Sequence, residues 1–291
     1  MQEKRHALRF QLLGPVEAWW SRGRLPVGGV KRRTTLAAFL LRPGTVIPLD
    51  EIVQAVWGPD ALPTLRNAAQ AHISRLRRSL PAPSPVAISA RSGGYVLDVD
   101  PDCIDLYRFR RMVADARTSG RAEQFRQALE VWRGRALADI DSPWLTGLCG
   151  GNLEEERLGV VEDWIDAEVR EGNYADVLAG LSDLARAHAS RERVHELLII
   201  ALCQAGRQAE AMLAYERARE WLDRELGVPP GARLQRLARQ ILGDRAPGTR
   251  PALAPAAATA WGRPLAVASV RDAIVPSLTP SSVTSDLCVR G

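Results

Sequence analysis

The chain has 291 residues, of which 46% are hydrophobic and 25% are charged, and this composition is typical of a globular chain of about two domains. No apolar run reaches the length of a membrane helix and the first ten residues lack the apolar core of a secretion signal, so we expect a cytoplasmic protein. The four cysteines are far apart and show no C-x-x-C spacing, which excludes the usual patterns of a zinc site or a disulfide framework.

The formal net charge of +5 is divided unevenly along the chain. Residues 1–100 carry 14 Lys and Arg against 7 Asp and Glu, whereas residues 101–242 carry 20 against 24. The remaining residues, 243–291, carry 5 against 3. A basic first part joined to an acidic second part predicts a polyanionic partner for the first and a different partner for the second.

The first 27 residues predict a small antiparallel sheet. Apolar residues alternate over 8–12, residues 16–20 resume the strand after Gly14-Pro15, and glycines flank a second short strand around residues 25–27. Two helices follow over residues 31–41 and 49–57, each closed by a Gly and Pro pair. We place Trp57 on the buried side of the second of these helices.

A third helix is predicted over residues 63–80, with Thr64 as a plausible N-cap. Its helical period places one narrow apolar face inward, formed by Leu65, Ala69, Ile73, Leu76 and Leu80. The opposite face carries Asn67, Ala71, Ser74, Arg75 and Arg78, and its flanks carry Arg66, Gln70 and Arg77. No Asp or Glu occurs between Asp60 and Asp98. A helix that contacts base edges in a major groove needs such cations and amides, although a solvated basic face has the same composition.

A β-hairpin is predicted next, because residues 86–90 and 95–99 alternate on either side of a Gly93-Gly94 turn. Three helices followed by a hairpin form a winged helix-turn-helix, in which the hairpin is the wing. Arg91 lies at the wing tip, where it can reach a phosphate or the minor groove.

From residue 105 to residue 242 the sequence predicts helix after helix. The first helix contains Tyr107, Met112 and Val113 and ends at Ser119-Gly120. The later segments are 122–132, a long amphipathic helix after a loop containing Trp144, and then 174–189, 192–203, 208–226 and a closing helix. We expect Trp144 to be buried, and Leu234, Leu237 and Ile241 to form the inner ridge of the closing helix. Residues 243–291 are rich in Pro, Ala, Ser and Thr and show no period, so we expect a disordered tail.

The sequence contains neither a G-x-x-x-x-G-K-[ST] loop nor a G-x-S-x-G elbow. His188 and His195 lack the spacing of a helical metal pair. We therefore expect no enzyme activity, no metal and no cofactor. No receiver domain precedes the first strand in this sequence, so we expect no control by phosphotransfer.

Residues 8–99 resemble the OmpR/PhoB-type winged-helix domain, in the form found in the Streptomyces antibiotic regulatory protein (SARP) family. The segments that carry the resemblance are LRFQLLGPVEAW, VGGVKRRTTLAAFLL, LDEIVQAVWG, LRNAAQAHISRLRRSL and SARSGGYVLDV. The second half resembles the bacterial transcriptional activator domain of the same family, a tetratricopeptide-like array, in WRGRALADI, LEEERLGVVEDW, AGRQAEAMLAYERARE and LGVPPGARLQRL. Pro48 stands where the family usually has a Ser that caps the second helix.

The resemblance implies three segments: a DNA-binding domain over 1–100, an activator domain over 101–242 and a tail over 243–291. It implies DNA contacts from Asn67, Gln70, Ser74, Arg75 and Arg78, and we add Arg66, Arg77 and Arg91 from their charge and position. It further implies a nucleoid-associated activator of a secondary-metabolite (antibiotic) gene cluster, which binds direct repeats as a homodimer and recruits RNA polymerase holoenzyme through its sigma factor. The alternative is a helical protein-interaction scaffold whose basic domain is not specific for a DNA sequence.

Overall fold

The computed structural model describes residues 8–21, 23–81 and 86–243. The chain starts in a three-stranded antiparallel sheet of β1 (Leu8–Gln11), β2 (Glu17–Trp20) and β3 (Gly23–Arg24), in that order. β3 ends one residue before the segment predicted as the second short strand. The Leu25 amide nevertheless donates to the Ala18 carbonyl at 2.8 Å, so the edge of the sheet continues to that residue.

Three helices and a hairpin follow the sheet. The helices are α1 (Val30–Leu40), α2 (Leu49–Trp57) and α3 (Arg66–Ser79), and the hairpin consists of β4 (Ala87–Arg91) and β5 (Gly94–Asp98). α1 packs against both α2 and α3, and α3 contacts β4. This order confirms the predicted winged helix-turn-helix.

The start of the third helix differs from the prediction. Pro63–Leu65 forms a 3-10 turn ahead of α3, so Thr64 lies inside that turn and is not an N-cap. α3 has no side-chain cap at all, and neither has α2, where Pro48 occupies the capping position. A Pro at N1 supplies the dihedral angle that a helical turn needs, and this explains why the chain turns at Pro63 without a capping hydroxyl.

The next helix is tied to the first sheet. α4 (Asp105–Ser119) begins with Asp105, whose carboxylate accepts the backbone amides of Leu12 at 2.7 Å and Leu13 at 3.0 Å. Burial raises the pKa of Asp105, although these two amides act in the opposite direction. Ile104 also pairs with Phe10 in a parallel bridge.

α5 (Ala122–Leu129) is shorter than predicted, because a turn replaces the helix before Trp132. Then come the short α6 (Pro143–Leu145), a π-helical turn over Thr146–Gly150, and α7 (Gly151–Glu171). Trp144 is half-buried rather than buried, which corrects the prediction. The buried residue is its neighbour Ser142, whose hydroxyl donates to the Ala55 carbonyl at 2.6 Å and accepts the Leu145 amide at 3.2 Å.

The chain divides into two compact units, Met1–Trp164 and Ile165–Gly291. The first unit therefore contains α4, α5 and α6 as well as the winged helix. The boundary between residues 100 and 101 was predicted from the sequence. The boundary between the two compact units lies elsewhere, between Trp164 and Ile165.

In the second unit, α8 (Tyr174–Ala187), α9 (Glu192–Gln204) and α10 (Gln208–Leu226) pack in succession, and α11 (Ala232–Gly243) packs against α9 and α10. The buried residues of α10 are Ala211, Ala214, Ala218 and Leu222, and the three alanines allow a close approach to α9. The inner ridge of α11 is Leu234, Ala238 and Ile241, whereas Leu237 is only half-buried. The predicted tail lies outside the described residues, apart from Gly243.

Candidate DNA-binding surface

α3 presents two chemically different faces. Ala69, Ile73 and Leu76 are buried at 0%, 1% and 3% exposure, as the helical period predicted. Leu65 and Leu80, at the ends of the predicted apolar face, are half-buried. The opposite face is solvent-exposed, and the residues on it are Asn67, Gln70, Ala71, Arg75 and Arg78.

The predicted contact residues differ in whether their side chains already form hydrogen bonds or ion pairs within the protein. Within the described part of the chain, Asn67, Gln70 and Arg75 have no side-chain hydrogen bond or ion pair. Arg78 makes only a 3.3 Å hydrogen bond to the half-buried Ser74, on its own helix. These groups can accept new partners without losing an existing strong contact.

Arg66 and Arg77 are both engaged. Arg66 forms an exposed ion pair with Asp50 of α2, with 2.7 Å between guanidinium and carboxylate. The Nε of Arg77 donates to the Ile88 carbonyl at 2.6 Å, and its guanidinium lies 5.5 Å from the centroid of the Tyr95 ring. Arg77 therefore attaches α3 to the wing, since a guanidinium stacks favourably on an aromatic face.

The wing brings Arg91 to an exposed position at the end of β4, next to the Ser92-Gly93 turn. Its guanidinium lies 3.8 Å from the Asp98 carboxylate, a long and exposed ion pair that contributes little. The start of β5, next to the turn, is held by backbone hydrogen bonds between Ile47 and Tyr95, at 2.8 and 3.0 Å. Gly94 sits so close to this connection that a Cβ would overlap the Ile47 carbonyl.

A cluster beside α3 was not among the predicted contact residues. The Lys31 ammonium lies 5.0 Å from the centroid of the Trp57 ring, and Trp57 stacks on His72 of α3 at 5.7 Å. Trp57 is thus a half-buried surface aromatic, not the core residue that was predicted. Burial, followed by the charges of Arg75, Arg32 and Lys31, lowers the pKa of His72 and so favours the neutral imidazole.

The Lys31-Arg32-Arg33 run was the signal in the sequence for this cluster, but its three members have different environments. Arg33 is occupied, since it forms a 2.6 Å ion pair with Asp139 and donates to the Gly28 carbonyl at 2.7 Å. Lys31 is exposed and Arg32 is half-buried. Lys31 and Arg32 therefore extend the positive surface from α3 to the start of α1.

In the described part of the chain, no three His, Cys, Asp or Glu side chains gather as metal ligands would. The described helices also include none that is long and apolar enough to span a bilayer. The chemistry of this surface is that of exposed cations and amides on a fixed helix.

Comparison with known proteins agrees with this geometry. Residues 28–97 match the family model of the transcriptional regulatory protein C-terminal domain, and residues 104–242 match that of the bacterial transcriptional activator domain. The regulatory protein DnrI of Streptomyces peucetius is 33% identical over 250 residues, which cover 81% of this chain and 92% of DnrI. The chain belongs to the SARP family of transcriptional regulators.

Other members of the family match a similar share of the chain. The transcriptional regulator RedD of Streptomyces coelicolor is 34% identical, over 81% of this chain and 70% of RedD. The regulatory protein AfsR of the same organism is 36% identical over 83% of this chain, but the match spans only 25% of AfsR. The chain thus covers about a quarter of the length of that relative.

A solved structure described as Mycobacterium tuberculosis EmbR in complex with a low-affinity phosphopeptide shares the fold, with a TM-score of 0.75. Sequence identity to it is 28%, and the match covers 81% of this chain and 65% of EmbR. The winged region followed by a helical array is therefore a fold that this chain shares with that structure.

Proposed function

We propose that this SARP-family chain is a sequence-specific, DNA-binding transcriptional activator that places α3 in the major groove. The observation that carries the proposal is the exposed face of α3, where Asn67, Gln70 and Arg75 have no partner among the described residues. Arg pairs with guanine, and Asn and Gln pair with adenine, through two hydrogen bonds each, so this face has the groups that distinguish bases. Arg78, Ser74, Arg91 and Lys31 are assigned to the phosphates or to the edge of the groove.

Arg66 and Arg77 have a supporting role in this proposal. Arg77 holds the wing and α3 in one geometry, and Arg66 holds the start of α3 against α2. Both remain close enough to the surface to add positive charge, which favours approach to a polyanion. Their replacement should affect the position of α3 as well as DNA affinity.

The proposed site of action is the nucleoid in the cytoplasm, on direct repeats upstream of the promoters of a secondary-metabolite (antibiotic) gene cluster. Two chains bind as a homodimer, one on each repeat. The helical array over 101–242 recruits RNA polymerase holoenzyme, including its sigma factor. The net charge of −4 over these residues supports this division, because an acidic segment is repelled by phosphates but attracts a basic protein partner.

A mobility-shift assay tests the DNA-binding proposal. The full chain is titrated against its own upstream region and against random DNA of equal length, at a low and a high salt concentration. We expect the upstream region to be bound at least about 10³-fold more tightly than random DNA, with both affinities falling as salt rises. Equal affinities would instead support the alternative, a helical protein-interaction scaffold with a non-specific basic domain.

Footprinting tests the homodimer on direct repeats. Protection should cover two half-sites whose centres are about one helical turn, or 10–11 base pairs, apart. Full-affinity binding to one isolated half-site would exclude the proposed pairing. Run-off transcription with purified holoenzyme then tests activation, which we expect only on templates that carry both half-sites.

A further inference from the structure

A concave groove of about 850 Å³ lies in the second compact unit, between α8, α9 and α10. Its volume is within the range of roughly 300–1,000 Å³ that is typical of ligand sites. The large apolar side chains in its lining are Leu178, Leu198, Leu202, Leu213 and Trp221. Half of the remaining lining residues are alanines, whose small side chains leave the groove open.

The apolar lining reaches the solvent-exposed surface. Leu213 of α10 is 56% exposed, although its neighbours on the same helix, Ala211 and Ala214, are buried against α9. Trp221, two turns further along, is half-buried. Leucine and tryptophan side chains grouped in a concavity, rather than scattered singly, mark a surface on which another molecule packs.

The charged residues of the groove are predominantly basic. The cations in its lining are Arg186, Arg207 and Arg217, and Glu210 is the only carboxylate among the lining residues of this described unit. Arg207 is paired with Glu210 at 2.6 Å and Arg186 with Asp183, but Arg217 has no ion-pair partner in the part of the chain that the structure describes. A basic rim is notable here, because residues 101–242 as a whole have a net charge of −4.

We propose that this groove is a docking site for an acidic, amphipathic peptide segment of another protein. Its apolar side chains pack on Leu198, Leu213 and Trp221, and a carboxylate pairs with Arg217, where a guanidinium can form two parallel hydrogen bonds. This mode is that of an amphipathic segment in a groove, in which apolar anchors give affinity and the flanking charges give selectivity. The inference goes beyond the proposed DNA binding and does not depend on it.

Charge argues against two other occupants. Residues 244–291 of the same chain carry five Arg and three Asp, so this segment is basic and would be repelled by the rim. Duplex DNA is negatively charged, but its phosphate backbone has no apolar groups that could pack on the leucine and tryptophan side chains of the groove. An acidic peptide with apolar anchors satisfies both parts of the groove.

Peptide selection on the full-length chain tests the proposal. A display library of random peptides of about 15 residues, long enough for anchors at i, i+3, i+4 and i+7, is selected on the immobilised wild-type chain. We expect the enriched peptides to carry a net negative charge and an apolar repeat with that spacing. The absence of enrichment, or enrichment of neutral or basic peptides, would overturn the proposal.

Matched variants on α10 locate the binding. Leu213→Ser and Arg217→Glu change exposed groove residues, whereas Leu226→Ser and Arg224→Glu make the same changes at exposed positions of α10 outside the groove lining. Fluorescence anisotropy with a selected peptide should show roughly tenfold or greater weakening for each groove variant, and less than about twofold for the controls.

Further measurements distinguish a failure of this inference from a failure of the DNA-binding proposal. All four variants should keep the thermal midpoint and the DNA affinity of the wild type, so a failure of the DNA-binding proposal leaves this test unaffected. Equal peptide affinity in Leu213→Ser, Arg217→Glu and the controls would refute the groove as the site. A synthetic peptide of residues 244–291 that bound more tightly than the selected peptides would show that the occupant is the chain itself.

Discussion

Leu76→Ala tests whether the buried face of α3 fixes the position of the helix. Leu76 is 3% exposed and borders the same small interior space as Phe10 of β1, Leu36 of α1 and Ile88 of β4. The side chain is thus placed where the sheet, α1, α3 and the wing meet. Its loss should loosen α3 relative to all of these elements.

The magnitude follows from the carbon atoms removed. Three fewer buried carbons, at about 0.8 kcal/mol each, cost about 2.4 kcal/mol of transfer free energy. A remaining cavity of about 60 Å³, at about 24 cal/mol per Å³, adds about 1.4 kcal/mol. We therefore expect the free energy of unfolding to fall by about 4 kcal/mol, within the usual range of about 2–5 kcal/mol for such a truncation.

Hydrogen exchange followed by mass spectrometry measures the loss of stability in α3 itself. A global melt is less suitable, because a chain with two compact units need not unfold in a single transition. Peptides from Arg66–Ser79 should exchange close to three orders of magnitude faster, since each 1.4 kcal/mol or so is tenfold. DNA affinity should fall in parallel, because a mobile helix loses conformational entropy when it binds.

Leu62→Ala is the matched control. Leu62 precedes the turn that leads into α3 and is 66% exposed, so the same chemical change should leave the exchange of α3 within about threefold. Unchanged exchange in Leu76→Ala would mean that α3 is not anchored through this face, and the assignment of its exposed face would fail with it.

Arg75→Ala should weaken specific DNA binding by about 1–3 kcal/mol in a mobility shift, while the thermal midpoint barely moves. Arg77→Ala should instead lower stability by about 1–3 kcal/mol in urea unfolding, because it removes a charged hydrogen bond to the wing backbone. Gly94→Ala should speed hydrogen exchange in the wing, since the new Cβ overlaps the Ile47 carbonyl; unchanged exchange would contradict that contact. Burial and nearby cations lower the pKa of His72 in the folded state from its usual 6.5, so the unfolded state binds more protons as the pH falls. The free energy of unfolding should therefore be unaffected by His72 above pH 6.5 and should decrease as the pH falls from 6.5 toward the folded pKa. His72→Gln should flatten this dependence in urea midpoints measured across that range.

The orientation of α3 could be predicted because helical geometry is local. The repeat of Ala69, Ile73 and Leu76 places one side inward whatever surrounds it, and the same rule placed Leu234 and Ile241 on the inner side of α11. The residue patterns also predicted the order of the elements, and the family resemblance then implied which of them bind DNA. Helix starts were less predictable, since Thr64 could have been a cap but the chain uses a 3-10 turn at Pro63–Leu65 instead.

The engagement of individual cations could not be predicted, because their partners are distant in sequence or depend on how elements pack. Periodicity places Arg77 only on a flank of α3, and the packed hairpin shows that its guanidinium donates to the Ile88 carbonyl. Arg33 belongs to the same basic run as Lys31, yet Asp139, more than 100 residues away, removes it from the available surface. Trp57 was expected in the core for its hydrophobicity, but its ring is shared between Lys31 and His72 at the surface.

The sequence by itself determined the helical and strand periods, the uneven division of charge and the basic face of α3, because each depends on residues a few positions apart. Tertiary structure alone decided which cations stay available and where the compact units divide. Asp105 illustrates the difference, because its carboxylate accepts the amides of Leu12 and Leu13 and makes α4 part of the unit that holds the sheet. Contacts across more than 90 residues arise only when the chain has closed on itself, and no local pattern records them.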